Sequence, residues 1–145
     1  MKNDKLKENE VEKILRTFLT EKGWKLTNLP KSVGCHGCDI TAWHPKWRKV
    51  LLVEVKGNGK AEHQTKHNSF YTLLGQILSR MDIEGNNPKK ARIYAIAIPV
   101  EWEDVFQNKI KKMTFGWKLL KLKVFLISSK KVEERSYSHF LSKKI

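Results

Sequence analysis

Apolar side chains recur along the chain at helical spacing in three segments, and each segment predicts a helix. The first helix is predicted over about Asp4–Lys22, where a single apolar stripe is followed by Gly23, a residue that favours a helix end. The stripe consists of Val11, Ile14, Leu15, Phe18 and Leu19. A second helix is predicted over Phe70–Met81 and a third over Trp102–Ile110.

Alternating or continuous apolar runs predict five strands. The clearest is Val50–Lys56, in which every second side chain shares a face, so that Glu54 and Lys56 lie on the same side. Ala91–Ile98 is apolar on both faces, as expected of a strand buried between helices. The remaining predicted strands are Trp24–Leu29, Cys38–Trp43 and Leu122–Ile127.

The order of these elements predicts an α/β fold with a mixed central sheet flanked by helices. The second and third strands are joined by a short turn and should form an antiparallel hairpin. The last strand–helix–strand unit should be a right-handed parallel crossover. The polar segment Gly57–Asn68 is predicted to be a loop, and no element is predicted after Ser128. The length favours a single domain, 1–145, with its core at about 10–127.

The charge balance indicates a polyanionic partner. Lysine and arginine number 29 and aspartate and glutamate 15, which gives a net charge of +14. Neutralising phosphates releases counterions, so an excess of this size favours DNA. No apolar run is long enough for a membrane helix, and the charged start Met1–Glu10 has no signal-peptide pattern. We therefore expect a cytoplasmic protein without membrane contact; a generally basic, solvated surface is the alternative explanation of the charge.

Three charged residues on neighbouring predicted strands form a candidate site. Asp39 begins the second strand, while Glu54 and Lys56 lie on the third, so the hairpin should bring two carboxylates and an amine together. Magnesium prefers such oxygen ligands, and a bound metal can polarise a phosphodiester and acidify water. Glu-x-Lys on a strand is also common on solvated faces. Here, however, the strand reads as central and buried, where a charged pair is costly.

The segments GCDI (37–40) and VEVKG (53–57) resemble the PD-(D/E)XK nucleases, with Cys38 where that family usually has proline. The resemblance covers about Glu10–Ile98, and the predicted element order matches the helix, three strands, helix and strand of the restriction-endonuclease-like core. It implies a Mg²⁺- or Mn²⁺-dependent phosphodiesterase, a DNA endonuclease of resolvase, repair or restriction type. The implied metal ligands are Asp39, Glu54 and Val55, with Lys56 acting in catalysis.

Two helix residues extend the resemblance. Archaeal Holliday-junction resolvases and their relatives carry a glutamate on the first helix before a glycine–aromatic pair, and Glu12 precedes Gly23-Trp24 in this way. Many members of the superfamily place a glutamine on the helix after the catalytic lysine, as Gln76 is placed here. Both residues are predicted as further site residues, although each also fits the solvated flank of an amphipathic helix.

Basic residues after Lys56 are predicted to contact phosphate. Lys60 and Lys66 flank the site, and Arg80 shares a helix face with Gln76.

The pair Cys35 and Cys38 lacks the second cysteine pair that a structural zinc site usually requires, so ordinary thiols are expected.

Two alternatives to a DNA endonuclease stay open. One is a nuclease-like fold that binds nucleic acid without cutting it, and the other is an unrelated basic binding module. The central carboxylates argue against the latter, because they would repel phosphate without a metal between them. Specificity in such nucleases lies in loops and dimer surfaces, so a homodimer and the preferred DNA structure also stay open.

Overall fold

Six strands form one mixed sheet, and helices cover both of its faces. The computed structural model describes residues 5–28, 39–59, 62–84 and 91–142. The elements are α1 Glu8–Glu21, β1 Lys25–Leu26, β2 Ile40–His44, β3 Lys49–Val55, α2 Glu62–Glu84, β4 Ala91–Pro99, a 3-10 turn Val100–Trp102, α3 Glu103–Lys111, α4 Thr114–Leu120, β5 Lys123–Ile127, β6 Val132–Arg135 and α5 Tyr137–Ser142.

The strands lie side by side in chain order, from β1 to β6. The β1–β2 and β2–β3 pairs are antiparallel, the β3–β4 and β4–β5 pairs are parallel, and β6 returns antiparallel to β5. The predicted α/β class, the β2–β3 hairpin and the parallel pairing of β4 with β5 are therefore confirmed. Among the described residues, no helix is long and apolar enough to cross a membrane.

In the described ranges, α1 is the helix that covers one face of the sheet. Its buried residues Val11, Leu15 and Leu19 follow the predicted stripe and pack on the face of β3 that carries Leu51 and Val53. The first turn is acidic, which complements the positive end of the helix dipole, and the Glu10 carboxylate accepts a hydrogen bond from the Lys7 N–H at 2.8 Å.

The opposite face of the sheet is covered by α2 to α5. Buried residues of α2 such as Phe70 and Ile77 pack with Ile96 and Ile98 of β4 in a second apolar cluster. Phe140 of α5, which is 2% exposed, belongs to the same cluster. The end of the described chain is therefore anchored to the core through Phe140.

Several boundaries differ from the sequence-based prediction. The predicted loop over residues 57–68 is wrong in its second half, because α2 begins at Glu62. Residues 62–68 contain no glycine or proline, so nothing in the sequence ends the helix there. The elements α4, β6 and α5 were not predicted because each is short and mixed in polarity, and tertiary contacts hold them. For example, the Trp117 indole N–H donates to the Tyr137 carbonyl at 2.9 Å.

The segment after β3 is joined tightly to α1 and to the 3-10 turn. A Cβ atom on Gly57 would lie 2.3 Å from the backbone nitrogen of Glu8, so only glycine permits this approach. Asn58 is buried, and its backbone N–H donates to the Leu6 carbonyl at 2.9 Å. Its side chain donates to Glu101 at 2.9 Å and accepts from the Trp102 indole N–H at 2.9 Å.

Replacement of Gly23 by alanine should destabilise the protein, whereas the same change at Gly75 should stabilise it. Gly23 has φ +94° and ends α1 in a Schellman motif, in which the Trp24 N–H bonds to the Leu19 carbonyl and the Gly23 N–H bonds to the Thr20 carbonyl. We expect Gly23→Ala to lower the free energy of unfolding by about 1–2 kcal/mol because alanine disfavours that conformation.

Gly75 is the matched control for this change. It lies within α2, and a Cβ atom there would meet nothing within 4 Å. Gly75→Ala should raise the free energy of unfolding by about 0.5–1 kcal/mol because alanine loses less entropy in a helix. Urea unfolding of both variants measures the difference, and equal effects would contradict the assigned role of Gly23.

Candidate active site

Asp39 lies one residue before β2, and the backbone of β3 holds its carboxylate. Because Ile40 pairs with Val53, the next step of the antiparallel register sets Asp39 opposite Glu54. Asp39 Oδ2 accepts a hydrogen bond from the Val55 N–H at 2.7 Å. In an extended strand a residue directs its N–H and its carbonyl to the same edge, so the Val55 carbonyl is directed toward β2 as well. All three predicted metal-ligand residues therefore lie at one end of this hairpin.

Arg16 and Asn28 hold the backbone of Asp39 in place. The Arg16 guanidinium donates to the Asp39 carbonyl at 2.9 Å and to the Asn28 carbonyl at 2.8 Å. The Asn28 side chain donates to the Asp39 carbonyl at 3.2 Å and accepts from the Thr41 N–H at 2.9 Å. Neither residue was predicted from the sequence. The spacing of four between Glu12 and Arg16 was the signal available for the arginine.

The Glu12 carboxylate binds Arg16, and it is Arg16 that contacts Asp39. The carboxylate lies 2.8 Å from Arg16 Nε, and the two side chains are 16% and 11% exposed. Arg16 in turn binds the backbone of Asp39, so Glu12 orients the group that holds Asp39. One helical turn earlier, Glu8 lies 3.8 Å from Lys56 Nζ. Glu8 is therefore a first-helix carboxylate that contacts Lys56, and it was not among the predicted site residues.

Glu54 is a buried carboxylate on the third strand of the six-stranded sheet. Its side chain is 2% exposed, and its Oε2 atom lies 3.2 Å from Arg80 Nε, whose side chain is 17% exposed. A buried carboxylate is strongly penalised unless a cation accompanies it, and Arg80 supplies that charge from α2. The predicted phosphate-binding residue Arg80 is thus directed at Glu54 in this structure.

Gln76 lies one helical turn before Arg80 on α2. Its Oε1 atom is buried and has no hydrogen-bond donor within reach in the described part of the chain. A buried oxygen left unpaired costs about 1–3 kcal/mol, so a donor or a cation beside it would be stabilised. Gln76 therefore lies on the helix that pairs with Glu54 through Arg80, with a buried polar side chain that can accept a further contact.

These oxygen donors fit a small hard cation. The described residues contain no group of three or more histidine, cysteine, aspartate or glutamate side chains that could hold a metal. A cation at this hairpin would therefore rely on two carboxylates, the Val55 carbonyl and solvent. That is the ligand set typical of magnesium, which keeps several waters and uses one or two protein carboxylates.

The remaining predicted positions lie on α2 or outside the described residues. Lys66 is half-buried on the second turn of α2, a helix and not the predicted loop. Lys60, Cys35 and Cys38 lie outside the described residues, so their predicted roles stay predictions.

Comparisons with known proteins give little further information. No protein-family profile matches this chain, and no curated protein matches it. One solved structure with a similar chain is that of an FdxN element excision controlling factor protein from Anabaena variabilis. The two chains are 18% identical, the match covers 85% of this chain and 95% of that chain, and the TM-score is 0.46. A similarity of this degree carries no argument about function.

The stability of the protein should depend on the pairing of Arg80 with Glu54. We expect a double-mutant cycle of Arg80→Met and Glu54→Gln to give a coupling energy of about 2 kcal/mol, because each single change removes the opposite charge that lies 3.2 Å from the other group. Urea unfolding of the parent, both single variants and the double variant measures this coupling.

The control cycle uses the surface pair of Lys123 and Glu134, whose side chains are 26% and 43% exposed. Lys123→Met and Glu134→Gln should couple by less than about 1 kcal/mol. A coupling between Arg80 and Glu54 no larger than that of the control would show that burial of Glu54 does not depend on Arg80.

Proposed function

We propose that this protein is a metal-dependent nuclease that hydrolyses DNA phosphodiester bonds, with Asp39, Glu54 and Lys56 at its active site. The observation that carries the proposal is the buried Glu54 carboxylate on β3, with the Asp39 carboxylate opposite it in the register of the hairpin. Two carboxylates at such a position repel each other and lose hydration, so their presence together favours a role that needs negative charge.

Each residue has a distinct role in the proposed reaction. Asp39, Glu54 and the Val55 carbonyl would hold Mg²⁺ or Mn²⁺, which polarises the phosphate and lowers the pKa of water. The Asp39 carboxylate is already oriented by the Val55 N–H, so its position is fixed before substrate binds. Gln76 would donate its amide N–H to the attacking water or to a phosphate oxygen.

Lys56 supplies a positive charge at the end of β3. Its side chain is 27% exposed and its partner Glu8 is 50% exposed, so the pair is weak and the amine can turn toward a substrate. An amine beside the scissile phosphate stabilises the negative charge that develops in the transition state. This role does not require Lys56 to bind the metal.

The net charge supports DNA as the substrate. A net charge of +14 on one chain favours a polyanion, and phosphate contacts by lysines position a duplex without reading its sequence. We further propose that the protein acts in the cytoplasm. We also propose that the protein is an endonuclease of resolvase, repair or restriction type and that it forms a homodimer. Both properties depend on surfaces outside the core site.

A second candidate function is nucleic-acid binding without cleavage. The specific observation in its favour is the contact of Arg80 with Glu54, because the guanidinium neutralises the carboxylate without a metal. In a nuclease, Arg80 would have to share Glu54 with the cation or move away from it. The two candidates therefore differ in whether a divalent metal binds at Glu54.

Replacement of the proposed metal ligands should abolish cleavage and preserve DNA binding. Asp39→Ala and Glu54→Gln remove ligand charge, and the glutamine keeps the shape of the buried side chain. Lys56→Ala should lower the cleavage rate about 100-fold or more while metal affinity stays nearly unchanged, because the amine acts on the developing charge. The assay is cleavage of duplex, single-stranded, flap and four-way-junction DNA with Mg²⁺ or Mn²⁺, run beside a calorimetric metal titration of each variant.

Matched controls separate the site from general loss of charge. Asp104→Asn removes an exposed carboxylate on α3, and Lys118→Ala removes an exposed amine on α4. Both should cleave at the parent rate. Parental cleavage by Asp39→Ala and Glu54→Gln would exclude this mechanism. DNA binding by a parent that neither binds metal nor cleaves would establish the second candidate.

A further inference from the structure

Trp47 is a large exposed side chain at the tip of the β2–β3 hairpin, and two other rings hold it in place. It is 53% exposed. The His44 ring stacks on its indole with centroids 3.9 Å apart and an angle of 10° between the planes. The Trp24 indole packs edge-on against both rings, at centroid distances of 5.1 Å to His44 and 5.8 Å to Trp47. One face of Trp47 is therefore covered by His44, while half of the residue meets solvent.

Hydrogen bonds fix the orientation of His44 beneath Trp47. His44 is 5% exposed, and its Nδ1 atom accepts a hydrogen bond from the backbone N–H of Trp47 at 3.3 Å. Its Nε2 atom lies 3.2 Å from the Lys22 carbonyl and donates to it, because a carbonyl can only accept. Both ring nitrogens are thereby occupied in one tautomer, and Trp47 rests on an oriented support.

The same end of the sheet is surrounded by cations. Residues 22–28 and 40–50 contain five lysines and arginines and no aspartate or glutamate. The five are Lys22, Lys25, Lys46, Arg48 and Lys49, and all are exposed. Glu21, which precedes Lys22, lines a separate groove with Lys130 and Lys131. We call the Trp24, His44 and Trp47 rings together with these five cations the hairpin-tip surface.

We propose that the hairpin-tip surface binds single-stranded nucleic acid, with a base stacked on Trp47 and phosphates beside the lysines. An aromatic side chain within a basic surface is the arrangement by which proteins bind unpaired bases without reading sequence. A base within a duplex is stacked on its neighbours and cannot offer its face to an indole. The rigid support from His44 and Trp24 lowers the entropy that Trp47 loses on binding.

This surface is distinct from the candidate active site. Lys49 pairs with His44 at the amino end of β3, and Glu54 lies five residues further along the strand, which corresponds to about 17 Å. The inference rests on the proposed nucleic-acid partner but not on the proposed chemistry. It can therefore be tested in a chelator, where no metal-dependent cleavage takes place.

The test is the fluorescence anisotropy of labelled oligothymidylate in EDTA. Trp47→Ala should weaken binding about tenfold, within the range for one base stacked on an aromatic ring. Trp47→Tyr keeps a ring and should retain most of the affinity, whereas Trp47→Leu keeps an apolar side chain and should lose it. Lys46→Ala should reduce the slope of log affinity against log salt by about 0.7, the value for one phosphate contact to a single strand.

Matched controls are Phe115→Ala, which removes a 77% exposed aromatic residue on α4, and Lys118→Ala on the same helix. Both should bind as the parent does, and thermal unfolding verifies that every variant is folded. Equal affinity of Trp47→Ala and Phe115→Ala, or an equal loss on oligothymidylate and on duplex DNA, would overturn the inference. Failure of the parent to cleave DNA would overturn the nuclease proposal and leave this result standing.

Discussion

Burial of the Glu54 carboxylate is the constraint on which the arrangement of the sheet and of α2 depends. A charged group that is 2% exposed on a strand with neighbours on both sides requires a cation at short range. Arg80 supplies it, and this contact fixes which face of α2 is directed at β3. Phe70, Leu73 and Ile77 on the same helix then meet the apolar side chains of β4. The ion pair between Arg80 and Glu54 and the apolar packing against β4 thus favour the same orientation of α2.

Helix α1 and strand β3 have nearly the same length. Each end of the helix therefore contacts residues at or beside one end of the strand. The helix has 14 residues and the strand seven, which correspond to about 21 Å and about 23 Å. At the amino end of the helix, Glu8 meets Lys56 and the backbone of Gly57. At its carboxyl end, the Lys22 carbonyl meets His44. A change in the length of either element would displace one of the two ends.

The sequence predicts the part of the site that depends on local rules. Period-two alternation and a short turn are enough to set Asp39 opposite Glu54, because both follow from the hairpin itself. The partner of Glu54 does not follow from such local rules. The sequence predicts that Arg80 contacts phosphate, because the rotation of α2 about its axis depends on tertiary contacts with β3 and β4 that no local pattern contains. Arg16 and Asn28 were missed for a related reason, because their contacts with Asp39 join segments 23 and 11 residues apart. The late elements β6 and α5 carry too weak a pattern to be predicted without their tertiary contacts.

The hydrogen bonds of Asn58 have a consequence for the order in which the protein assembles. Asn58 joins Leu6, 52 residues earlier, to Glu101 and Trp102, which lie 43 and 44 residues later. Contacts of such large separation close late, since the loop entropy is lost before the contact forms. A ribosome must therefore have released Trp102 before the segment after Lys56 can dock. Until then the segment after β3 lacks its contacts with the 3-10 turn, so the end of the strand that carries Glu54 is completed only after β4 has been synthesised.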